Sequence, residues 1–185
     1  LRVPPGLYRN QITYRNDRNR LDADYRFSFR CRLPAESADT TDQFKNREAI
    51  IMRLRFVDFN RKFKTPKRFL RVAIQVTWED NTVKWWLPHP NAVRGKKRTP
   101  LSRVETADED ETKRVLLAET GFGEWIPFSV EVKGKRMTCM VGDKKAAVFA
   151  TPDPWAGTVA LSAGNLLAEG KTVQLDLADI TIRQE

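Results

Sequence analysis

Trp86, Gln75 and a group of basic residues are the parts of this chain whose types and spacing could do chemistry together. In Thr82 to Leu87, Val83, Trp85 and Leu87 alternate with Lys84 and Trp86. A side-chain period of two sends Lys84 and Trp86 away from the apolar face. The run Phe69 to Trp78 repeats the pattern, with Leu70, Val72, Ile74, Val76 and Trp78 inward and Arg71, Ala73, Gln75 and Thr77 outward. Glu79-Asp80-Asn81 reads as the turn joining the two runs into a hairpin. Arg53 and Arg55 point outward on the run Ala49 to Val57, whose Ile50, Met52, Leu54 and Phe56 form the apolar side. Trp78 and Trp85 are expected in the core. The outward face then offers a stacking ring, guanidinium forks and an amide, the alternative being that the basic stretch Asn91 to Arg103 covers Trp86. An aromatic face suits the apolar C–H surface of a ring ligand. Arginine makes paired hydrogen bonds to vicinal oxygens, carboxylate or sulfate. The set fits a polyhydroxylated ligand, including an anionic one. Arg53, Arg55, Arg71, Gln75, Lys84, Trp86 and the neighbouring His89 are the candidate ligand-binding residues. His89 is the one histidine and sits between Pro88 and Pro90, a setting more typical of a surface residue than of a catalytic base.

Bond-cleaving chemistry has thinner support. Glycoside hydrolysis needs two carboxylates flanking the scissile bond. The spacing Glu-x-Asp-x-x-Glu is absent, and Glu48 and Asp80 are weak candidates. Asp22 and Asp24 precede a strand, Asp176 sits alone on one, and Asp108 to Glu111 reads as a solvated acidic loop. There is no Gly-x-Ser-x-Gly elbow and no glycine-rich phosphate loop. With 2 cysteines and no Cys-x-x-Cys pair, no zinc site is expected. Cys31 and Cys139 fall on apolar strand faces and are expected as buried free thiols, with a single bridge between them as the alternative. No cofactor and no metal is expected.

The elements that must position these residues are mostly strands. Tyr25 to Arg32 alternates without error, with Tyr25, Phe27, Phe29 and Cys31 on one face. Pro88-His89-Pro90-Asn91 and then Arg94 to Pro100 read as a long basic loop, Lys113 to Glu119 as a short strand, and Thr41 to Arg47 as a short helical piece. Trp125 to Lys133, the hairpin Arg136–Val141 and Ala146–Phe149 around Gly142-Asp143, then Gly157 to Ala163 and Thr172 to Arg183 complete the chain. Many short strands punctuated by 9 glycines and 10 prolines argue an all-β sandwich. The 185 residues fit one domain, and a start at Leu1 suggests a piece of a longer protein with other domains as partners. No apolar run of about 18 residues occurs, so no membrane-spanning helix is expected. The net charge of +9 could serve nucleic acid, acidic glycans or anionic membrane. Its even spread reads as a solvated basic surface, which disfavours nucleic acid as the partner.

The C-terminal third resembles the concanavalin A-like lectin/glucanase superfamily, closest to its 3-keto-disaccharide hydrolase family. The likeness rests on Trp125 to Gly134, on Met137 to Ala147 around Gly142-Asp143, on Gly157-Thr158-Val159-Ala160-Leu161, and on Val173 to Ile182 closing with Asp179-Ile180-Thr181-Ile182. It implies a two-sheet antiparallel jelly roll, a carbohydrate partner, and an extracellular or cell-envelope setting. The chain departs from the family in its middle. Asn46-Arg47-Glu48-Ala49-Ile50 replaces an Asn-Ser-Gly-hydrophobic run. Of the family's Glu-x-Gln pair, Gln75 remains and Ala73 stands where the carboxylate would be. The expectation is therefore a carbohydrate-binding or carbohydrate-associated module without catalysis. The alternatives are a glycoside hydrolase of the 3-keto-disaccharide type and a basic polyanion-binding module.

Overall fold

The computed structural model describes residues 2–3, 24–36, 50–58, 68–79, 81–94, 97–106, 114–151, 158–165 and 173–184. For 2–3, 50–58, 68–69, 92–94, 105–106, 158–165 and 173 it describes the backbone alone. The expected helical piece Thr41 to Arg47 and the acidic run Asp108 to Glu111 lie outside the described residues, as do Glu48 and Asp80.

The strands are β1 (Arg2–Val3), β2 (Tyr25–Arg32), β3 (Ile50–Asp58), β4 (Arg68–Glu79) and β5 (Thr82–Pro88). There follow β6 (Asn91–Arg94), β7 (Lys97–Pro100), β8 (Ser102–Thr106), β9 (Arg114–Thr120) and β10 (Ile126–Lys133). The last five are β11 (Arg136–Val141), β12 (Lys144–Ala150), β13 (Thr158–Asn165), β14 (Val173–Gln174) and β15 (Asp176–Gln184). All pairings among the described residues are antiparallel. A seven-stranded sheet runs β9-β5-β4-β3-β13, with β6 added to β4 and β7 to β6. A six-stranded sheet runs β15-β2-β10-β11-β12-β8, and β1 pairs with β14.

The two larger sheets stack through buried apolar residues of β2, β4, β5, β10 and β11. Phe27, Phe29, Val130 and Val132 from the six-stranded sheet share one buried cluster with Leu70, Val76, Val83 and Trp85 from the seven-stranded sheet. Trp85 meets Phe128 across the interface with ring centroids 5.6 Å apart, tilted as aromatic pairs prefer. Trp78 and Trp85 lie in this core, as their place in the alternation requires. Cys31 and Cys139 are buried free thiols, and burial pushes Cys139 up to about 12 and raises Cys31 as well. The result is the two-sheet antiparallel jelly-roll sandwich that the strand periodicity predicts.

Two expectations need correction. Within the stretch expected as a basic loop, Asn91–Arg94 and Lys97–Pro100 pair as the hairpin β6–β7. Its side chains give no apolar alternation, and Lys97 to Pro100 are all exposed. Backbone pairing of β6 with Arg68–Arg71 of β4 makes it a strand. The final run is likewise not one strand. It breaks at the buried Leu175, with β14 in the small sheet and β15 in the six-stranded one.

Local turn chemistry sets these registers. Gly142 (φ 58) followed by Asp143 gives β11 and β12 the two-residue hairpin loop of II′ type, where glycine takes the first central position. Gly134 (φ 53) turns β10 into β11, and its N–H donates to Asp24 Oδ1 at 2.7 Å. Asp24 is thus a turn cap, tying the start of β2 to a hairpin distant in sequence.

Candidate functional site

The outer face of the seven-stranded sheet carries most of the sequence candidates. Register places Gln75 opposite Trp86 on β5 and opposite Ile51 on β3. Leu116 of β9 lies opposite Trp86 on the other side. Trp86 Nε1 donates to Thr77 Oγ1 at 3.0 Å, and the Arg114 guanidinium carbon sits 4.0 Å from the ring centroid. The ring is therefore held at its edge and stacked on one side. Leu116 is 41% exposed beside it, a rare large apolar side chain left open to solvent.

Lys84 reaches Glu119 at 3.3 Å, so its charge is engaged within the sheet. Arg71 is half-buried and lies opposite Asn91 and Arg55. Arg53 lies opposite Ala73. Four residues along a strand span about 13 Å, which separates the Arg71–Arg55 row from the Gln75–Trp86 row. Arg53 and Arg55 are placed by register only.

Two candidates differ from expectation. Gln75 is buried, with 9% exposure, and lies directly opposite Trp86 in the sheet. It forms the floor of the face rather than a projecting group. His89 does not join the set. Its Nε2 hydrogen-bonds the Leu101 carbonyl, and its ring meets Phe149 edge-on at 5.5 Å. A contact with a carbonyl fixes the Nε2–H tautomer, so that nitrogen donates. His89 thus ties the end of β5 to the opposite sheet.

A bond-cleaving arrangement needs paired carboxylates. Among the described residues no carboxylate stands beside Gln75. Its register partners are Ile51 and Trp86, and its neighbours two along the strand are Ala73 and Thr77. Glu119 is held by Lys84. Among the described residues no cluster of His, Cys, Asp and Glu could hold a metal ion. No described helix is long and apolar enough to cross a membrane.

Sequence reasoning missed Arg114, whose side chain covers Trp86. Its position at the start of an expected strand was readable, but its neighbour across the sheet was not.

No family model matches the chain, and no curated protein matches it in sequence. Solved structures of similar shape exist. The galectin LEC-6 of Caenorhabditis elegans is 10% identical over 97% of this chain and 95% of its own, with a TM-score of 0.49. The β-glucanase of Bacillus licheniformis is 10% identical over 89% of this chain and 66% of its own, with a TM-score of 0.47. The carbohydrate-binding module CBM66 of Bacillus subtilis is 10% identical over 86% of this chain and 74% of its own, with a TM-score of 0.43. The sandwich architecture itself is read from this chain's own strand pairing.

Proposed function

We propose that this chain is a carbohydrate-binding β-sandwich module that holds a glycan without cleaving it, on the outer face of the seven-stranded sheet. The observation that supports this most is the setting of Trp86. The ring lies on a sheet face, tied to Thr77, flanked by Arg114 and directly across from Gln75. A ring fixed before binding loses little rotamer freedom when a sugar packs against it. Arg114 supplies donors for hydroxyl oxygens beside the ring, and Arg71, about 13 Å further along the sheet, supplies them to a longer ligand. An extracellular or cell-envelope location and a larger parent protein go with this reading.

Hydrolysis of the 3-keto-disaccharide type is the competing idea carried by the sequence resemblance. It needs an acid beside Gln75, and Ala73 occupies the position where the family's acid would stand. The outer face as described supports binding better than cleavage.

The test is a glycan array of neutral oligosaccharides at low and high salt, followed by calorimetry on the hits with Trp86→Ala and Gln75→Ala. Affinity is expected to fall about three- to tenfold in Trp86→Ala. Salt should change it little, since no net charge is exchanged. A hit whose affinity ignores both substitutions, or release of new reducing ends, overturns the reading.

A further inference from the structure

The opposite side of the sandwich carries a second feature. On the outer face of the six-stranded sheet a groove of about 400 Å³ runs over β15, β2 and β10. Its floor is a row of three hydroxyl residues in direct cross-strand register, Thr181, Ser28 and Ser129. Arginines stand on both sides of that row. Arg26 precedes Ser28 by two residues and Arg30 follows it by two, so the two-residue period turns all three to one face.

At one end Arg26 lies directly opposite Arg183. Like charges at paired positions repel, and an anion between them relieves the repulsion. Arg26 Nη2 donates to Ser129 Oγ at 3.1 Å, which aims the guanidinium along the hydroxyl row. Its Nε is buried with no hydrogen-bond acceptor among the described residues. The nearest acid across the sheet, Glu131, is engaged by Lys133 at 3.0 Å.

At the other end the chain shows what the groove can hold. β15 is irregular between Ala178 and Thr181, and Asp179 there takes φ 51, unusual for a residue with a side chain. Such bulges re-aim a side chain out of the ladder. The Asp179 carboxylate pairs with Arg30 while remaining 62% exposed. One end of the groove thus already grips a carboxylate belonging to the protein itself.

We propose that this groove is a binding site for an acidic glycan. Carboxylate groups would sit on Arg26–Arg183 and, by displacing Asp179, on Arg30, while sugar hydroxyls meet Ser28, Ser129 and Thr181. Hydroxyl side chains both donate and accept, as a polyhydroxylated ligand requires. Single-stranded nucleic acid is the less suitable polyanion, because base recognition relies on open aromatic platforms. The aromatic residues in the groove wall, Phe29 and Phe128, are buried. Trp125 nearby is stacked by Arg30 at 5.3 Å and Arg32 at 4.7 Å. The site is independent of the Trp86 face, which lies on the other side of the core.

The experiment is calorimetric titration of the full chain with an oligogalacturonate, with its fully methyl-esterified form, and with a single-stranded oligonucleotide. The acidic oligosaccharide is expected to bind, and esterification to weaken it about tenfold or more. Arg30→Gln and Arg26→Gln should each weaken it by about the same factor. Asp179→Asn should bind several-fold tighter. Asn tolerates the left-handed backbone, and a gain in affinity cannot come from misfolding. Trp86→Ala should leave this binding unchanged, so the two faces are judged separately. No binding of the acid form, equal binding of the ester, tighter binding of the oligonucleotide, or an Asp179→Asn variant no tighter than the parent overturns the proposal.

Discussion

Arg114 holds its guanidinium 4.0 Å from the centroid of the Trp86 ring, on a sheet face where the ring's Nε1 is already bonded to Thr77. The two contacts leave the ring one stacking partner and one edge anchor. A planar cation over an indole is attracted by the ring quadrupole, worth about 0.5–1 kcal/mol at an exposed site. Arg114→Ala is therefore expected to weaken neutral-glycan binding about two- to fivefold, by freeing the ring and removing donors next to it. Arg114→Lys should behave closer to Ala than to the parent, since an ammonium lacks the stacking plane. Calorimetry on the three proteins decides this, and a lysine variant equal to the parent would show that charge alone matters.

The join between β2 and β15 should respond to acid. Asp176 accepts from Arg32 Nε at 2.9 Å and from Gln174 Nε2 at 3.0 Å. Burial pushes its carboxyl up, but these hydrogen bonds and the Arg32 charge outweigh that and hold it below its ordinary value. A carboxyl lowered in the folded state stabilises the protein above its unfolded value of about 4. That stability is lost as pH falls through the lower folded value. Asp176→Asn should cost about 1 kcal/mol at neutral pH and less below about pH 4. Urea melts of both proteins across this pH range are the check; a difference that does not shrink on acidification contradicts the assignment.

The thiols should be silent in the folded protein. Both are buried, with Cys139 pushed up to about 12. A thiol reagent acts on the thiolate, which burial disfavours. Ellman's reagent at mildly alkaline pH should label neither cysteine until denaturant is added, and then both. Fast labelling of the native chain would mean that the apolar layer around Cys31 and Cys139 opens readily.

Phe128 is the pin between the sheets. It meets Trp85 at 5.6 Å and Phe29 at 5.8 Å and is 3% exposed. Phe128→Ala should cost about 3–5 kcal/mol, the usual range for a buried aromatic truncation. Chemical denaturation measures it, and a loss under about 1 kcal/mol would place the inter-sheet contact elsewhere.

Particular residues show what the sequence could reveal. Tyr25 to Arg32 was fully legible because its alternation is unbroken and its buried residues are the apolar ones. The Gln75–Trp86 pairing was legible because a short turn links neighbouring strands. β6 was not, because a backbone partner 20 or more residues earlier, and not side-chain pattern, makes it a strand, and β7 pairs in turn with β6. The hydroxyl row on the other sheet was hidden for the same reason. Ser28 is outward in its own strand, but Ser129 reaches Arg26 from 103 residues away, and Asp179 turns outward only through an irregularity that periodicity does not show. His89 sits in the short link after β5, and only the fold brings Leu101 and Phe149 to it.

A glycan seated on the Trp86 face is detected by following the indole N–H signals during titration with a neutral oligosaccharide hit. The chain has 5 tryptophans, and a Trp86→Phe variant assigns the Trp86 signal by its disappearance. The Trp86 signal should shift saturably with ligand while the core signals of Trp78 and Trp85 stay in place. A saturable hit that leaves the Trp86 signal unmoved would contradict it.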